Sequence, residues 1–385
     1  MRSLGFKVFN VPEVASIFIN GGGIKFSSIT EDEVYVFQLN LIKTMMVLED
    51  AFYNIASSTG QPSVIISDRG TMDPAAYMSR DQWQVVLDES KWNLVDLRDR
   101  RYDAVLHLVT AALGAEKFYT TENNTARTET LTQAQELDQK ILNAWIGHPE
   151  LKIIDNSTDF QGKMTRITNT ICQVVGAPRP AGTRRKFIAT DVDINTIKAA
   201  GVDRVEQFQV EQTYLTPYSP SESSPETNFQ YLRRRGQKDS FSYTHHSQKS
   251  YDNNRSIFLS RAISGRDYLT LLKQADPARV TVTKDVKYFI WNNTYFELEN
   301  YKVPNIGLSS LVVETDQPAE VIEFPPFIKV KGEVTSEPAF FSYSLAKTFK
   351  NNPSANWKYN EQLLQKYLVA KMSWMRRAKV QENTK

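Results

Sequence analysis

"RVTVTKDVKYFIWNNTYFELENY" (279–301) decides how the second half of this chain folds. Two runs of β-branched and aromatic residues flank Asn292 and Asn293, and paired asparagines tolerate the backbone that a tight hairpin turn requires. The stretch predicts two antiparallel strands joined at 292–293. Its surroundings have the same texture: "RKFIATDV", "VEQFQVEQTYL", "NFQYLRRRGQ", "SFSYTHHSQKS", "SIFLSRAIS" and "SSLVVETD" are short strand-like runs. One helix, "SGRDYLTLLKQAD" (264–276), and a Pro/Ser-rich insertion, "TPYSPSESSPETN" (216–228), interrupt them. Together they predict an antiparallel β-barrel.

Charges sharpen this expectation. Alternate residues of a strand share a face, so Arg233 and Arg235 point one way and Arg234 the other. Glu297 and Glu299 pair likewise, as do Glu314 and Asp316. A solvated sheet face could carry all of them. A barrel that enclosed them would be a polar tunnel, costly unless its charges bind ions.

The first half has a different texture. "GFKVFNVPEV" (5–14), "SVIISDRG" (63–70), "RYDAVLHLVTA" (101–111) and "LKIIDNS" (151–157) read as strands. Helical patterns lie between them at 30–56, opened by a capping box of Thr30 and Glu33, and at 132–147. Alternation of this kind predicts a parallel, doubly wound α/β sheet, with ligands at the carboxyl ends of its strands, where Asp68, Arg69 and Asp155 fall. "FINGGGIKFSS" (18–28) imitates a phosphate loop without being one. Ile24 separates Gly23 from Lys25, Phe26 follows the lysine, and the run does not follow a strand directly. It reads as a glycine turn. Asp73, before Pro74, reads as a helix cap, His107 as a core histidine and His148 as a loop residue.

Composition bounds the function. The chain has 385 residues, a formal net charge of +2, four histidines and one cysteine, Cys172. Two or three domains fit this length. No global charge points to nucleic acid, no cysteine framework or zinc set is available, and no apolar run approaches the roughly 20 residues of a membrane span. The expected setting is cytoplasmic, with peripheral membrane association.

"KVFNVPEVAS", "VIISDRGTMD", "YDAVLHLVTAALGAEKFYTTENNTAR" and "HPELKIIDNSTDFQGK" resemble, in order, the P-loop kinase-like domain of the TRPL translocation defect protein 14 family. That family joins a P-loop NTPase domain to a CYTH-like, or triphosphate tunnel, domain. "VEQTYL", "RRRG", "SRAIS", "TKDVKYF", "FELENY" and "LVVETD" follow the block order of the CYTH superfamily over about 183–345. The expected fold is therefore α/β plus mainly β, a truncated parallel sheet followed by an antiparallel barrel. The expected divisions are 1–176 for the P-loop kinase-like domain, 177–184 for a linker, 185–345 for the barrel and 346–385 for a basic amphipathic helical tail.

On this resemblance, Asp68 would hold magnesium, and Arg69, Arg127, Asp155 and Asn156 would be the remaining nucleotide-site residues, with GTP and Mg2+ as cofactors. Arg233, Arg235, Lys249, Arg261, Lys284 and Lys287 would bind phosphate, and Glu211, Glu297, Glu299 and Glu314 would form an acidic wall. Two departures stand out. Met1 falls late in the family's first helix, so strand 1 and the Walker A motif do not precede the glycine turn. The E-x-E-x-K motif, whose acids hold catalytic metal ions, is replaced by "GTRRKF", with Gly182 and Arg184 where acids would stand. The resemblance therefore implies a regulatory binding protein rather than a catalyst. Its expected ligands are guanine nucleotide and an acidic phospholipid, either phosphatidic acid or a phosphoinositide, and its setting is vesicular trafficking of channels in photoreceptors. A metal-dependent triphosphatase or small-molecule P-loop kinase is the alternative, and a pure interaction scaffold a third reading.

Overall fold

The computed structural model describes residues 1–25, 28–119, 130–176, 184–217, 228–237, 239–251, 255–315 and 321–347. The chain divides into two compact units, Met1–Ala177 and Pro178–Lys385. Arg127, Asp316, nearly all of the expected linker and the helical tail lie outside the described residues.

The first unit begins with strand β1 (Lys7–Val11) and the short helix α1 (Val14–Ser16), wound on as a turn over Ile17–Gly21. Gly23 follows at φ +70°, so the glycine run ends a turn. Then come α2 (Glu31–Ser58), β2 (Ser63–Ser67), α3 (Arg80–Ser90), β3 (Val105–Leu108), α4 (Leu131–Trp145), β4 (Leu151–Ile154) and α5 (Phe160–Val174). Helix α2 opens on the expected capping box of Thr30 and Glu33. The pairs Ser79/Gln82 and Thr130/Gln133 open α3 and α4 in the same way. Such signals are local, and this is why the sequence carries them.

Strand pairing is not local, and here the expectation needs correction. β1 pairs with β2 and β3 with β4, both parallel, as two separate two-stranded sheets rather than one doubly wound sheet. An apolar run specifies a buried strand but not its neighbour, and no ladder joins β2 to β3 among the described residues.

The second unit is built on nine strands: β5 (Arg184–Ala189), β6 (Val205–Tyr214), β7 (Phe229–Gln237), β8 (Ser240–Tyr251), β9 (Arg255–Ala262), β10 (Val282–Trp291), β11 (Thr294–Val303), β12 (Ser309–Glu314) and β13 (Val330–Glu333). They form one antiparallel sheet in the order β13-β5-β12-β11-β10-β6-β7-β8-β9. The opening hairpin is as read: Trp291 pairs with Thr294 across Asn292 and Asn293, both at positive φ.

The barrel is not closed by hydrogen bonds, since β13 and β9 remain as edges. Side chains nevertheless join distant strands on the sheet's inner face. Ile188 of β5, Tyr214 of β6, Tyr231 of β7 and Tyr301 of β11 share a cluster with Phe340, Tyr343 and Leu345, and Phe258 of β9 packs against it. The segment carrying these last residues, Pro338–Phe340 and the short helix Ser342–Leu345, thus fills one end of the inner face. It is anchored there by Arg279, whose guanidinium lies 3.4 Å from the Tyr343 ring centroid and donates to the Tyr343 carbonyl at 3.0 Å. On the outer face, Phe187, Phe289 and Phe296 pack with Ile197 of a short helix, Ile194–Ala199. Leu232 packs there with Tyr268 of another, Gly265–Leu271.

Candidate functional site

Below the aromatic end cluster the inner face becomes charged. Strand alternation carries each element from one zone to the other: Ile188 gives way to Lys186 and Arg184, Tyr231 to Arg233 and Arg235, Val282 to Lys284, and Tyr301 to Glu299 and Glu297. The result is a wall in which five bases gather around Glu297 and Glu299, with Glu206 and Glu314 on the same face by register.

Each carboxylate is held by bases. Glu297 accepts from Arg184 at 2.6 Å and from the Tyr288 hydroxyl at 3.4 Å. Glu299 accepts from Lys284 at 2.5 Å, Ser310 at 2.9 Å and Tyr301 at 3.3 Å, and forms an ion pair with Lys186 at 3.3 Å. Burial alone would raise the Glu299 pKa, but Lys284 and Lys186 outweigh it and hold the group well below the usual carboxylate value. Burial likewise works against the Lys186 ammonium, and Tyr301 and Glu299 reverse this and raise its pKa.

The arginines are differently placed. Arg235 is buried, with its guanidinium 3.5 Å from the Phe208 ring centroid and 4.9 Å from that of Tyr288, so aromatic faces carry part of its desolvation. The buried Nε of Arg233 meets no hydrogen-bond partner among the described residues. Burial opposes its charge too, but Tyr231, Tyr288 and Glu297 together raise its pKa, against repulsion from Arg184. That β5 and β7 side chains sense each other across the sheet reflects how far it curls. A buried donor without a partner costs about 1–3 kcal/mol. A ligand oxygen would relieve that cost.

Several expected site residues lie elsewhere. Arg233, Arg235, Lys284, Glu297 and Glu299 come together, and Glu314 stands opposite Arg184 in the β12–β5 register. Glu211 falls on the outer face, paired with Arg234 at 2.7 Å, because the inner face of β6 takes Phe208, Val210 and Gln212. Lys287 is also outward, bonded to Asp191 at 2.7 Å. Lys249 and Arg261 are exposed at the odd positions of β8 and β9, opposite in phase to the inward His246. Block order named these four, but strand parity removes them from the wall. Parity also adds two residues that the sequence reading left out. Arg184 and Lys186 alternate in "RRKF", which was a usable signal, but Arg184 had been given to the linker.

In the first unit the strand ends carry the other candidates. Asp68 is exposed just after β2, and Arg69 adopts φ +75° with its Nε 3.8 Å from Glu13. Left-handed backbone at a non-glycine stores about 1–3 kcal/mol and clusters at functional loops. Asp73 does not cap a helix. It is buried and accepts from the Gly70 amide at 2.8 Å and the Trp145 indole at 2.6 Å, tying the loop after β2 to α4. Burial raises its pKa. After β4, Asp155 is bonded to Ser157 and Arg166, and Asn156 donates to the carbonyls of Thr110 and Leu113 at 2.7 Å each. Lys163 donates to the Val109 carbonyl and to the Asn156 side chain. Asn156 therefore holds the loop after β3, whereas Asp155 closes its own turn through Ser157. His107 bonds Asp138 at 3.1 Å, whose other oxygen accepts from the Thr110 amide. His148 is a loop residue as expected, but a buried one, its ring bridging the Tyr102 carbonyl and the Glu150 amide.

Among the described residues no group of three His, Cys, Asp or Glu side chains could hold a metal ion, and no helix is long and apolar enough to cross a membrane. The metal centre of a tunnel hydrolase does not fit the inner wall. Its two central carboxylates already carry Arg184, Lys186 and Lys284.

Residues 2–163 match the family model described as an AAA domain, a P-loop-like family. No curated protein matches the sequence significantly. The inorganic triphosphatase NE1496 is 19% identical to this chain, with a TM-score of 0.30 over 44% of this chain and 99% of its own. The PH1012 protein from Pyrococcus horikoshii is 20% identical, with a TM-score of 0.25 over 36% of this chain and 81% of its own. A Hippeastrum protein, HpAC1, described as having a dominant triphosphatase activity, is 11% identical, with a TM-score of 0.23 over 36% and 82%. At such values the chemistry of the second unit has to come from its own side chains.

Proposed function

We propose that the second unit binds the phosphate groups of a triphosphate-class anion on its inner wall. The observation that carries this is the Arg233 guanidinium, set in a wall richer in bases than in acids, with a buried Nε that no group among the described residues satisfies. Guanidinium forks match phosphate oxygens in geometry and charge, and neighbouring bases from different strands can meet successive phosphates. The test is calorimetric titration of the full chain with inorganic tripolyphosphate and with nucleoside triphosphates. Saturable binding, lost in Arg233→Ala/Arg235→Ala, is expected, and no binding to either ligand class would overturn the proposal.

A hydrolytic reading uses the same wall. Two of the similar proteins carry triphosphatase descriptions, but here Glu297 and Glu299 already carry Arg184, Lys186 and Lys284, so hydrolysis would have to use a metal held chiefly by the ligand. Phosphate release with magnesium or manganese would favour it over plain binding. The resemblance adds a finer setting: GTP and Mg2+ in the P-loop-like unit, with Asp68 the candidate carboxylate, and an acidic phospholipid on the inner wall, serving channel trafficking on vesicles in photoreceptors. Co-sedimentation with vesicles of phosphatidic acid, compared with phosphatidylcholine, tests the lipid part.

A further inference from the structure

We infer that the inner wall recognises its phosphate polyanion without a divalent cation, Arg184 and Lys186 supplying from the wall the positive charge that a metal would bring. This rests on the anion-binding reading above and specifies how that site works.

The observations are geometric. Arg184 and Lys186 stand two residues apart on β5, so both side chains project from one face. Arg184 reaches Glu297 at 2.6 Å, and Lys186 lies 3.3 Å from Glu299, which Lys284 approaches from β10 at 2.5 Å. A hard dication needs a shell of about six oxygens with free lone pairs. Here the carboxylate oxygens face a guanidinium and two ammonium groups, so a dication at either acid would displace a base or sit against it. The exposures agree with a role at the mouth of the site: the Arg184 side chain is 45% exposed, whereas that of Glu297 is only 8% exposed. Arg184 can thus turn from its carboxylate toward an entering phosphate while Glu297 stays buried. Lys186 and Lys284 remain anchored by Glu299 and add a fixed positive field.

The experiment titrates the 385-residue chain with inorganic tripolyphosphate in excess EDTA, then with magnesium or manganese. Saturable binding in EDTA that the metals do not tighten is expected; magnesium should weaken it by complexing the ligand. Arg184→Gln/Lys186→Gln, with its fold checked by circular dichroism, should lose about tenfold or more in affinity in EDTA. If that variant does not fold, the wild-type comparison decides alone. Binding seen only with magnesium or manganese overturns this inference and leaves the anion-binding proposal standing. Binding in neither buffer, with no sedimentation on phosphatidic acid vesicles either, overturns both. A parallel arm replaces tripolyphosphate with phosphatidic acid vesicles in EDTA. Sedimentation with those vesicles but no tripolyphosphate binding would identify a lipid headgroup as the source of the phosphate and support metal independence equally.

Discussion

Arg184 donates to Glu297 at 2.6 Å although their strands are not neighbours, β12 lying between β5 and β11. The bond spans two inter-strand spacings, roughly 10 Å of backbone separation, which only a long side chain on a curled sheet can cover. Arg184 is half-exposed, so the pair sits between the surface and buried limits of ion-pair energetics. Glu297→Gln should destabilise the second unit by about 1–2 kcal/mol, short of the roughly 3–5 kcal/mol of a fully buried pair. It should also tighten tripolyphosphate binding, since Arg184 and Arg233 lose a competing carboxylate. Weaker binding in this variant would assign Glu297 to the ligand instead.

Arg233 and Arg235 separate binding from stability. Arg233 is partly exposed, so Arg233→Ala should cost little in thermal stability yet lower anion affinity by about tenfold, or about 1.4 kcal/mol. Arg235 lies between the rings of Phe208 and Tyr288, and Arg235→Ala should lose about 1–2 kcal/mol of stability as well as affinity. Equal melting losses in the two variants would show that Arg233 is structural.

Lys249 and Arg261 provide the control. Both are exposed on the outer face. Lys249→Ala/Arg261→Ala should leave tripolyphosphate affinity unchanged, within the roughly 0.5 kcal/mol typical of surface substitutions. A loss comparable to that of Arg233→Ala would move the site to the outer face.

Glu299 should govern the acid limb of stability. Its pKa is depressed in the folded chain relative to the ordinary 4.5, so the folded state binds fewer protons than the unfolded state in that range. The resulting stabilisation is fully present above 4.5 and is lost as pH falls toward the folded value. Melting of the second unit should accordingly decline below that pH. Glu299→Gln should remove the decline and, with Lys284 and Lys186 left uncompensated, lower stability at pH 7 by about 3–5 kcal/mol. An acid slope identical to the wild type would place its origin elsewhere.

Gly70 tests the loop after β2. A Cβ there would lie 2.7 Å from the Trp145 ring and 3.1 Å from the Tyr102 hydroxyl. Gly70→Ala should therefore destabilise the first unit by about 1–3 kcal/mol, the usual cost of overpacking. Calorimetry showing an unshifted transition would mean that the indole gives way freely.

What was legible in the sequence is what is encoded locally. The capping box at Thr30, the Asn292–Asn293 turn and the shared face of Arg233 and Arg235 all follow from residues within a few positions of each other. Which strand lies beside which does not, so one parallel sheet was expected where two pairs formed. The same limit misplaced Glu211, Lys287, Lys249 and Arg261, assigned by order along the chain, whereas ring contacts between neighbouring strands, Phe208 with Tyr288 and His246 with Phe258, mark the inward phase of those strands. Arg184 and Lys186 were legible as an alternating pair. Their partners Glu297 and Glu299 lie more than a hundred residues away, and only the curl of the sheet brings them together.

Tyr343 and Phe340 cover one end of the inner face, which leaves the charged end, where Arg184 is exposed, as the approach among the described residues. A linear polyphosphate that enters there would present a terminus and leave past Arg184. Longer chains gain no extra grip from their middle. Affinity per molecule should thus level off once the chain is long enough to span from Arg184 to Lys284, and cyclic polyphosphates, which have no end to offer, should compete poorly.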